Sequence, residues 1–230
     1  KKLTNMPLQI FTYPQNFGYF KSRIAAQYGN VTDIELPEFE FGKTNRTEEF
    51  YKINPLGKVP AAKTEQGEGI FESNAIARYV AAIGTDADGL LGKSAIERAR
   101  VDQWQEVVTN YIAPDIYHIF SFKYGFLPYD EAAFNKKIEQ LSTTFQSIER
   151  HFTNTGSTYL TGDRVTIADI ILISTLYYPL KVGALDASFR SKFPLSEQYL
   201  RRVLDEKQVT AVLGDVPFVE KFDKLERLQP

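Results

Sequence analysis

The apolar and polar positions at the start of the chain alternate between short extended runs and helical spacing. Leu8 to Tyr13 is a short, mostly apolar run that Pro14 stops, and Asn16 can cap a helix from Phe17 to about Tyr28. Val31 to Leu36 then predicts a second strand. A strand, a helix and a strand within about 30 residues form a βαβ unit, so these two strands should be parallel.

The pattern continues with a short helix and a hairpin. The helix opens at Thr47-Glu48-Glu49 and stops before Asn54-Pro55, because a residue that precedes proline avoids the α region. Two strands follow, from Val59 to Thr64 and over Gly69-Ile70-Phe71, and helical spacing resumes from Asn74 to Ile83. The predicted order of this part of the chain is therefore βαβαββα.

Beyond residue 93 the apolar spacing is helical. Ser94 begins a long helix through Trp104 and Val108, and Pro114 predicts a kink or a break in it. Asp130 begins another helix with apolar residues at helical spacing. No convincing strand pattern remains in this part of the sequence.

The most apolar helix follows a capping pattern. In Thr166-Ile167-Ala168-Asp169 the threonine can accept an N–H of the first turn, while the aspartate can accept the N–H of the cap. The following run, 170–180, is apolar nearly all round, which predicts the buried centre of a helical bundle. Shorter helices are predicted over 186–193 and from Ser196 to about Asp205. The tail then runs back through residues 209–213 and ends in polar residues.

These elements divide the chain into an α/β domain over residues 6–83, a linker over 84–93 and an all-helical domain over 94–230. The linker is rich in turn residues, with Asp86-Ala87-Asp88-Gly89 at its centre. A chain of 230 residues with 43% hydrophobic residues can bury a sizeable core and fits one or two domains.

Composition narrows the classes of function. A net charge of −2 gives no basic field for direct nucleic-acid binding, and the absence of cysteine excludes disulfides and a cysteine nucleophile. No apolar run approaches the roughly 20 residues of a membrane span. Lys1 to Asn5 precede Met6-Pro7 and are interpreted as an added or disordered extension. We expect a soluble cytoplasmic protein that makes no membrane contact.

Two segments of the first domain predict a site for a small acidic peptide. Val59-Pro60 stands where a strand should begin, and a cis peptide there would present the backbone of Val59 to a neighbour. Glu72-Ser73 precedes a helix whose first N–H groups favour a carboxylate. The alternative is an ordinary hairpin followed by a capped helix, and spacing alone leaves both interpretations open.

With Val-Pro at its third strand and a capping box on the central helix of its second part, the chain resembles the cytosolic glutathione transferase fold. The resemblance implies a thioredoxin-like first domain, an all-α second domain and glutathione as the ligand or substrate, with no other cofactor and no metal. It also implies that Val59 pairs with the cysteinyl backbone across a cis bond to Pro60. Glu72 and Ser73 would hold the γ-glutamyl carboxylate, and Lys58 would lie close to the peptide.

Several further blocks resemble one branch of this superfamily, the amino-terminal domain of the gamma subunit of translation elongation factor 1B. The blocks are Thr12-Tyr13-Pro14, Ile24-Ala25-Ala26-Gln27-Tyr28, Phe41-Gly42-Lys43-Thr44-Asn45-Arg46-Thr47, Gly57-Lys58-Val59-Pro60-Ala61, Phe71-Glu72-Ser73-Asn74-Ala75-Ile76-Ala77 and Ala211-Val212-Leu213-Gly214. This resemblance implies a homodimer that binds the nucleotide-exchange subunit of the factor. In that family a charged linker and a second domain follow, whereas the sequence given ends at Pro230, which leaves open a part of a longer protein or a shorter relative.

Transferase activity requires a group that stabilises the glutathione thiolate near neutral pH. The serine of theta-like transferases falls near Gln15, which does this poorly, so Tyr13 is the candidate hydroxyl and Asn16 a weaker donor. The alternative for Tyr13 is an aromatic side chain that only packs at the end of a strand. Ser22 is expected to face solvent, and the two histidines, His118 and His151, have no metal-ligand spacing.

Two functions of different class follow from the sequence. The first is a glutathione-binding scaffold of the elongation factor type that assembles the exchange complex. The second is an active, theta-like glutathione transferase that conjugates glutathione to electrophiles. The predicted peptide site is intact, whereas the residues around Tyr13 and Gln15 are poorly suited to activate a thiol. This combination favours the first function.

Overall fold

A computed structural model describes residues 7–123 and 125–221, so the interpretation of Lys1 to Asn5 lies outside the described residues. The chain forms two compact units, Lys1–Leu91 and Gly92–Pro230. The first contains a sheet with helices and the second is helical, in agreement with the predicted fold class. Among the described residues, no helix combines the length and the apolar character needed to cross a membrane.

The sheet of the first unit has four strands in the order β2-β1-β3-β4. The strands are β1 (Leu8–Phe11), β2 (Ile34–Glu35), β3 (Ala61–Lys63) and β4 (Gly69–Phe71). β1 pairs in parallel with β2 and antiparallel with β3, and β3 pairs antiparallel with β4. The parallel pairing of the first two strands and the order βαβαββα are confirmed.

The second strand is much shorter than the predicted Val31 to Leu36. It lies at the edge of the sheet, where Leu36 is half exposed and gains little from pairing. Pro37 follows and has no N–H to extend the ladder. The apolar pattern therefore overestimated the length of this strand.

Three helices complete the predicted part of this unit: α1 (Phe17–Gly29), α2 (Glu48–Tyr51) and α3 (Ser73–Ile83). The side chain of Asn16 accepts the N–H of Gly18 at 2.9 Å and caps α1, as predicted. Asn30 ends that helix in the left-handed conformation, with φ 52°. α1 packs against α3, and the carbonyl of Gly29 accepts the N–H of Thr85 at 2.8 Å.

The stretch predicted as a turn-rich linker contains a helix, α4 (Ala87–Leu91). Its residue Leu90 is fully buried, and the N–H of Leu90 donates to the carbonyl of Asp86 at 3.0 Å. Burial of one leucine thus stabilises a helical turn in a segment whose composition favours turns. α4 packs against α3 within the first unit.

The second unit begins with α5 (Ala95–Val107), a π-helical segment (Val108–Ile112) and α6 (Ala113–Lys123). The irregularity predicted from Pro114 is present as these wider turns just before the proline. Pro114 has no N–H for the carbonyl one turn earlier, and a π segment is one way for a helix to accommodate that loss.

The next two helices follow the prediction closely. α7 (Glu131–Thr155) is capped by Asp130, which accepts the N–H of Ala133 at 2.8 Å. α8 (Ile167–Lys181) has the predicted capping box and is buried on all sides along most of its length. It is the central helix of the bundle, as its apolar composition predicted.

The last helices are α9 (Ala187–Arg190), α10 (Pro194–Asp205) and α11 (Lys207–Leu213). α9 is shorter than predicted and α10 begins two residues earlier. Proline at the first helical position has a suitable fixed φ and needs no N–H. The carboxylate of Glu149 also accepts the N–H groups of Leu195 and Ser196 at 2.9 and 2.8 Å, a cap that comes from a distant helix.

Candidate functional site

Three of the residues predicted for the site meet around Gly18 in the first turn of α1. A Cβ at this position would lie 3.1 Å from Asn16 Oδ1, 3.1 Å from Pro60 Cδ and 3.2 Å from Ser73 Cβ. Because glycine has no Cβ, the start of α1, the loop before β3 and the start of α3 can approach this closely. The structure therefore brings Asn16, Pro60 and Ser73 into one place.

The loop before β3 is held by two buried asparagines. The Val59-Pro60 bond is cis, which confirms the prediction. Asn45 Nδ2 donates to the carbonyl of Gly57 at 2.7 Å, and Asn54 Nδ2 donates to the carbonyl of Lys58 at 2.7 Å. The side chain of Lys58 is exposed. Sequence patterns did not identify these asparagines as supports, since their partners depend on the fold of the loop.

The backbone N–H and C=O of Val59 are available for a ligand. In the part of the chain that the structure describes, its N–H and C=O make no hydrogen bond. An extended peptide could pair with both groups, in the way that a strand adds to a sheet edge. This observation is compatible with the predicted role of Val59, which stays a prediction.

Glu72 stands in an uncommon backbone conformation immediately before α3. Its φ is 69° and its ψ is 121°, and a non-glycine residue at such a positive φ costs on the order of 1–3 kcal/mol. The Glu72 side chain is exposed and gives the helix no cap hydrogen bond. The first turn of α3 therefore lacks the carboxylate or hydroxyl cap that helix starts commonly have.

Lys21 is a component of the site that sequence reasoning missed. It is 7% exposed, and its Nζ donates to Ser73 Oγ at 3.1 Å and to Asn74 Oδ1 at 2.8 Å. Burial lowers the pKa of Lys21 to about 8, while Glu72 acts in the opposite direction. The available signal was position: Lys21 lies four residues after Phe17 and three before Ile24, on the apolar face of α1.

Asn16 offers a donor that nothing in the described part of the chain uses. Its side chain is 4% exposed and its Oδ1 caps α1, while its Nδ2 is buried without a hydrogen-bond partner. A buried amide without a partner is costly, and such groups are usually satisfied by a ligand or a water. Asn16 therefore has the chemistry of a ligand-binding residue as well as that of a helix cap.

Tyr13 lies at the end of β1 and is 43% exposed. Its ring contacts the exposed ring of Phe41 edge-on, with the centroids 6.5 Å apart. Partial burial raises the pKa of the Tyr13 hydroxyl, which keeps it protonated but makes it a weaker donor to a thiolate. The catalytic role of Tyr13 stays a prediction. The contact with Phe41 supports the alternative, in which the Tyr13 ring only packs at the end of a strand.

Two other expectations concern side chains outside this group. Ser22 was expected to face solvent, but it is fully buried. The rings of His118 and His151 pack against Phe122 and Trp104, at 4.9 and 4.7 Å. Within the described residues no group of three or more acidic or histidine side chains could hold a metal ion.

The site presents donors and positive potential to an incoming anion. The helix start at Ser73 is partly exposed, whereas the amide nitrogen of Asn16 and the ammonium of Lys21 are buried, and Lys21 contributes through its charge. Glu72 adds one exposed carboxylate at the rim. The arrangement suits a small molecule that carries a carboxylate and a peptide backbone.

Two family models match the chain. The model of the glutathione S-transferase N-terminal domain covers residues 6–82, and the model of the C-terminal domain covers residues 117–215.

Among curated proteins, the chain is similar to "Probable elongation factor 1-gamma 1" of Arabidopsis thaliana. The two are 38% identical over 216 residues, which are 94% of this chain and 51% of that protein. "Elongation factor 1-gamma" of Artemia salina is 36% identical over 213 residues, which are 93% of this chain and 48% of that protein. The chain thus spans about half the length of these relatives.

Among solved structures, the GST-like domain of elongation factor 1-gamma from Saccharomyces cerevisiae matches with a TM-score of 0.78 and 18% identity. The match covers 97% of this chain and 100% of that domain. A glutathione S-transferase-I bound with lactoylglutathione matches with a TM-score of 0.78 and 23% identity, over 90% of this chain and 98% of that one. At these identities the structures support the fold. Together with the two family models and the curated relatives, they show that the chain belongs to the glutathione transferase superfamily and is similar to the elongation factor 1-gamma proteins.

Proposed function

We propose that this chain is a glutathione-binding and protein-binding scaffold of the elongation factor 1-gamma type, with a role in translation elongation. The observation that carries the proposal is the identity of 36–38% over 93–94% of this chain to proteins with that name. The role of the whole factor extends to this chain by proposal, because the chain spans about half of those proteins.

The proposed partner is the nucleotide-exchange subunit of elongation factor 1B, and the proposed location is the cytoplasm. A homodimer is proposed as well, since the resemblance to the gamma subunit implies it.

We propose that glutathione lies along the group of residues around Gly18. Its γ-glutamyl carboxylate would accept hydrogen bonds at the start of α3, from Ser73 in particular. Its cysteinyl backbone would pair with the open main chain of Val59 beside Pro60. The exposed ammonium of Lys58 would approach the peptide from the rim.

The alternative is an active transferase of the theta-like type. It is favoured by the unpartnered amide of Asn16, which could donate to the glutathione sulfur, and by the hydroxyl of Tyr13 at the same corner. Two observations weaken it. By the family resemblance the serine of theta-like enzymes falls near Gln15, and burial raises the pKa of Tyr13.

Two measurements on the same preparation test the proposal. Size-exclusion chromatography with the exchange subunit should yield a complex, and a theta-like transferase of the same fold is the control that should not form one. Steady-state conjugation of glutathione to a chlorodinitrobenzene-type electrophile should stay near the uncatalysed rate. Robust turnover without complex formation would overturn the scaffold proposal in favour of the enzyme.

A further inference from the structure

The ammonium of Lys21 is buried, and both of its hydrogen-bond partners are neutral, while Glu72 acts on it only from beyond ion-pair distance. Its two partners are the hydroxyl of Ser73 and the amide oxygen of Asn74, both in the first turn of α3. Among the described residues no carboxylate lies within ion-pair distance of it. A buried charge without a counter-ion is expensive, so an unpaired one needs an explanation.

The position of this charge supplies the explanation. The N-terminus of a helix carries a partial positive charge, and the start of α3 has no acidic cap hydrogen bond to offset it. Lys21 adds a full positive charge at the same place. Two positive charges that lie together favour the binding of an anion from outside the chain.

Lys21 also constrains the hydroxyl of Ser73. That oxygen accepts a hydrogen bond from Nζ at 3.1 Å, so the hydroxyl proton is directed to another acceptor. A hydroxyl that accepts from a cation is polarised and becomes a stronger donor. Ser73 is thereby arranged to donate to a ligand.

We infer that Lys21 is a positioning residue that prepares Ser73 for the α-carboxylate of a γ-glutamyl group and supplies the charge that neutralises it. This inference rests on the proposed glutathione binding, and it assigns to a residue of α1 the selectivity for that carboxylate. Lys21 acts through Ser73 and through the field at the start of α3, without contact with the sulfur of the ligand.

The test uses calorimetric titration with two ligands that differ only in this carboxylate. One is S-hexylglutathione, and the other is its analogue with a 4-aminobutanoyl group in place of the γ-glutamyl group. Lys21→Met should weaken binding of S-hexylglutathione about tenfold, the scale of a hydrogen bond to a charged group, and change that of the analogue less than about twofold.

The matched control is Arg23→Met, which removes the same charge from an exposed position of the same helix. It should leave both affinities within about twofold of the wild type. Lys21→Gln provides a second neutral variant that can still donate to Ser73, in case the methionine variant does not fold. It should lose part of the selectivity, and Lys21→Arg should restore most of it.

The outcomes separate the inference from the proposed function. An equal loss for both ligands would mean that Lys21 only supports the structure, and unchanged affinities would give it no role; either result overturns the inference while glutathione binding stands. If the wild-type protein binds neither ligand, the glutathione proposal fails and the inference fails with it.

Discussion

Helices α3 and α8 both begin with backbone N–H groups that need an acceptor, and the two starts are built in opposite ways. At α8 the carboxylate of Asp169 is fully buried and accepts four hydrogen bonds. The donors are the N–H of Leu160 at 3.0 Å, the N–H and hydroxyl of Thr166 at 2.8 Å each, and the hydroxyl of Tyr199 at 2.9 Å.

At α3 the chain supplies no such group. The cap residue Glu72 turns its side chain to solvent, its backbone lies at positive φ, and Lys21 places a buried ammonium beside Ser73. The comparison shows that one electrostatic requirement can be met in two ways. A buried internal carboxylate closes the start of α8, whereas at the start of α3 the proposed ligand would supply the carboxylate from outside the chain.

The largest expected effect comes from removal of the internal carboxylate. Asp169→Ala leaves four donors without their acceptor inside the core, which should lower the free energy of unfolding by about 3 kcal/mol or more. Urea denaturation measures the change. The matched control is Asp163→Ala, which removes an exposed carboxylate just before the same helix and should cost less than about 0.5 kcal/mol.

If the two variants lose similar stability, the start of α8 is not closed by Asp169 in the way the hydrogen bonds indicate. The contrast between the two helix starts would then no longer hold, because it requires that Asp169 closes the start of α8.

The second prediction concerns the buried ammonium at α3 and its dependence on pH. Burial lowers the pKa of Lys21 from 10.5 to about 8, so the folded protein binds this proton less tightly than the unfolded chain does. The cost is therefore fully present below about pH 8 and disappears as the pH rises towards 10.5. Relative to Lys21→Met, the wild type should gain roughly 3 kcal/mol across that window.

Urea denaturation of both proteins at several pH values gives this difference and cancels the groups that titrate in common. Glu72 is the charged neighbour whose effect on the pKa of Lys21 opposes that of burial. A difference that does not change with pH would mean that Lys21 is not a buried cation in the folded protein.

A third prediction tests the backbone at the open helix start. At positive φ glycine is favoured over alanine, so Glu72→Gly should be more stable than Glu72→Ala by about 1 kcal/mol. Gln27, exposed within α1, is the control, where alanine should be favoured by a similar amount. The same preference for alanine at both positions would argue against the strained conformation of Glu72.

The smallest effect is expected at Tyr13, which separates binding at α3 from chemistry at the end of β1. Tyr13→Phe should change the affinity for S-hexylglutathione less than about twofold, because it removes one hydroxyl from a partly exposed ring. If the wild type has measurable turnover that uses this hydroxyl, the same change should raise the pKa of the bound thiol and lower the rate at neutral pH. A robust rate that survives the substitution would exclude Tyr13 and make Asn16 the next candidate.

The sequence by itself determined the features that depend on neighbours along the chain. The order βαβαββα, the caps at Asn16 and Asp130 and the capping box that contains Asp169 all agree with the structure. Each follows from periodicity or from the backbone chemistry of a few adjacent residues, and these act in the same way wherever the segment lies.

The tertiary structure alone decided which distant side chains meet. Lys21 contacts Ser73 across 52 positions, and Glu149 caps α10 across 46 and 47. Packing also buried Ser22, shortened β2 and made a helix of Ala87–Leu91. Local patterns carry no information about such partners, because burial and hydrogen bonding between remote segments depend on how the whole unit packs. The donors of the proposed site were therefore visible in the sequence only in part, and the buried charge beneath them was not.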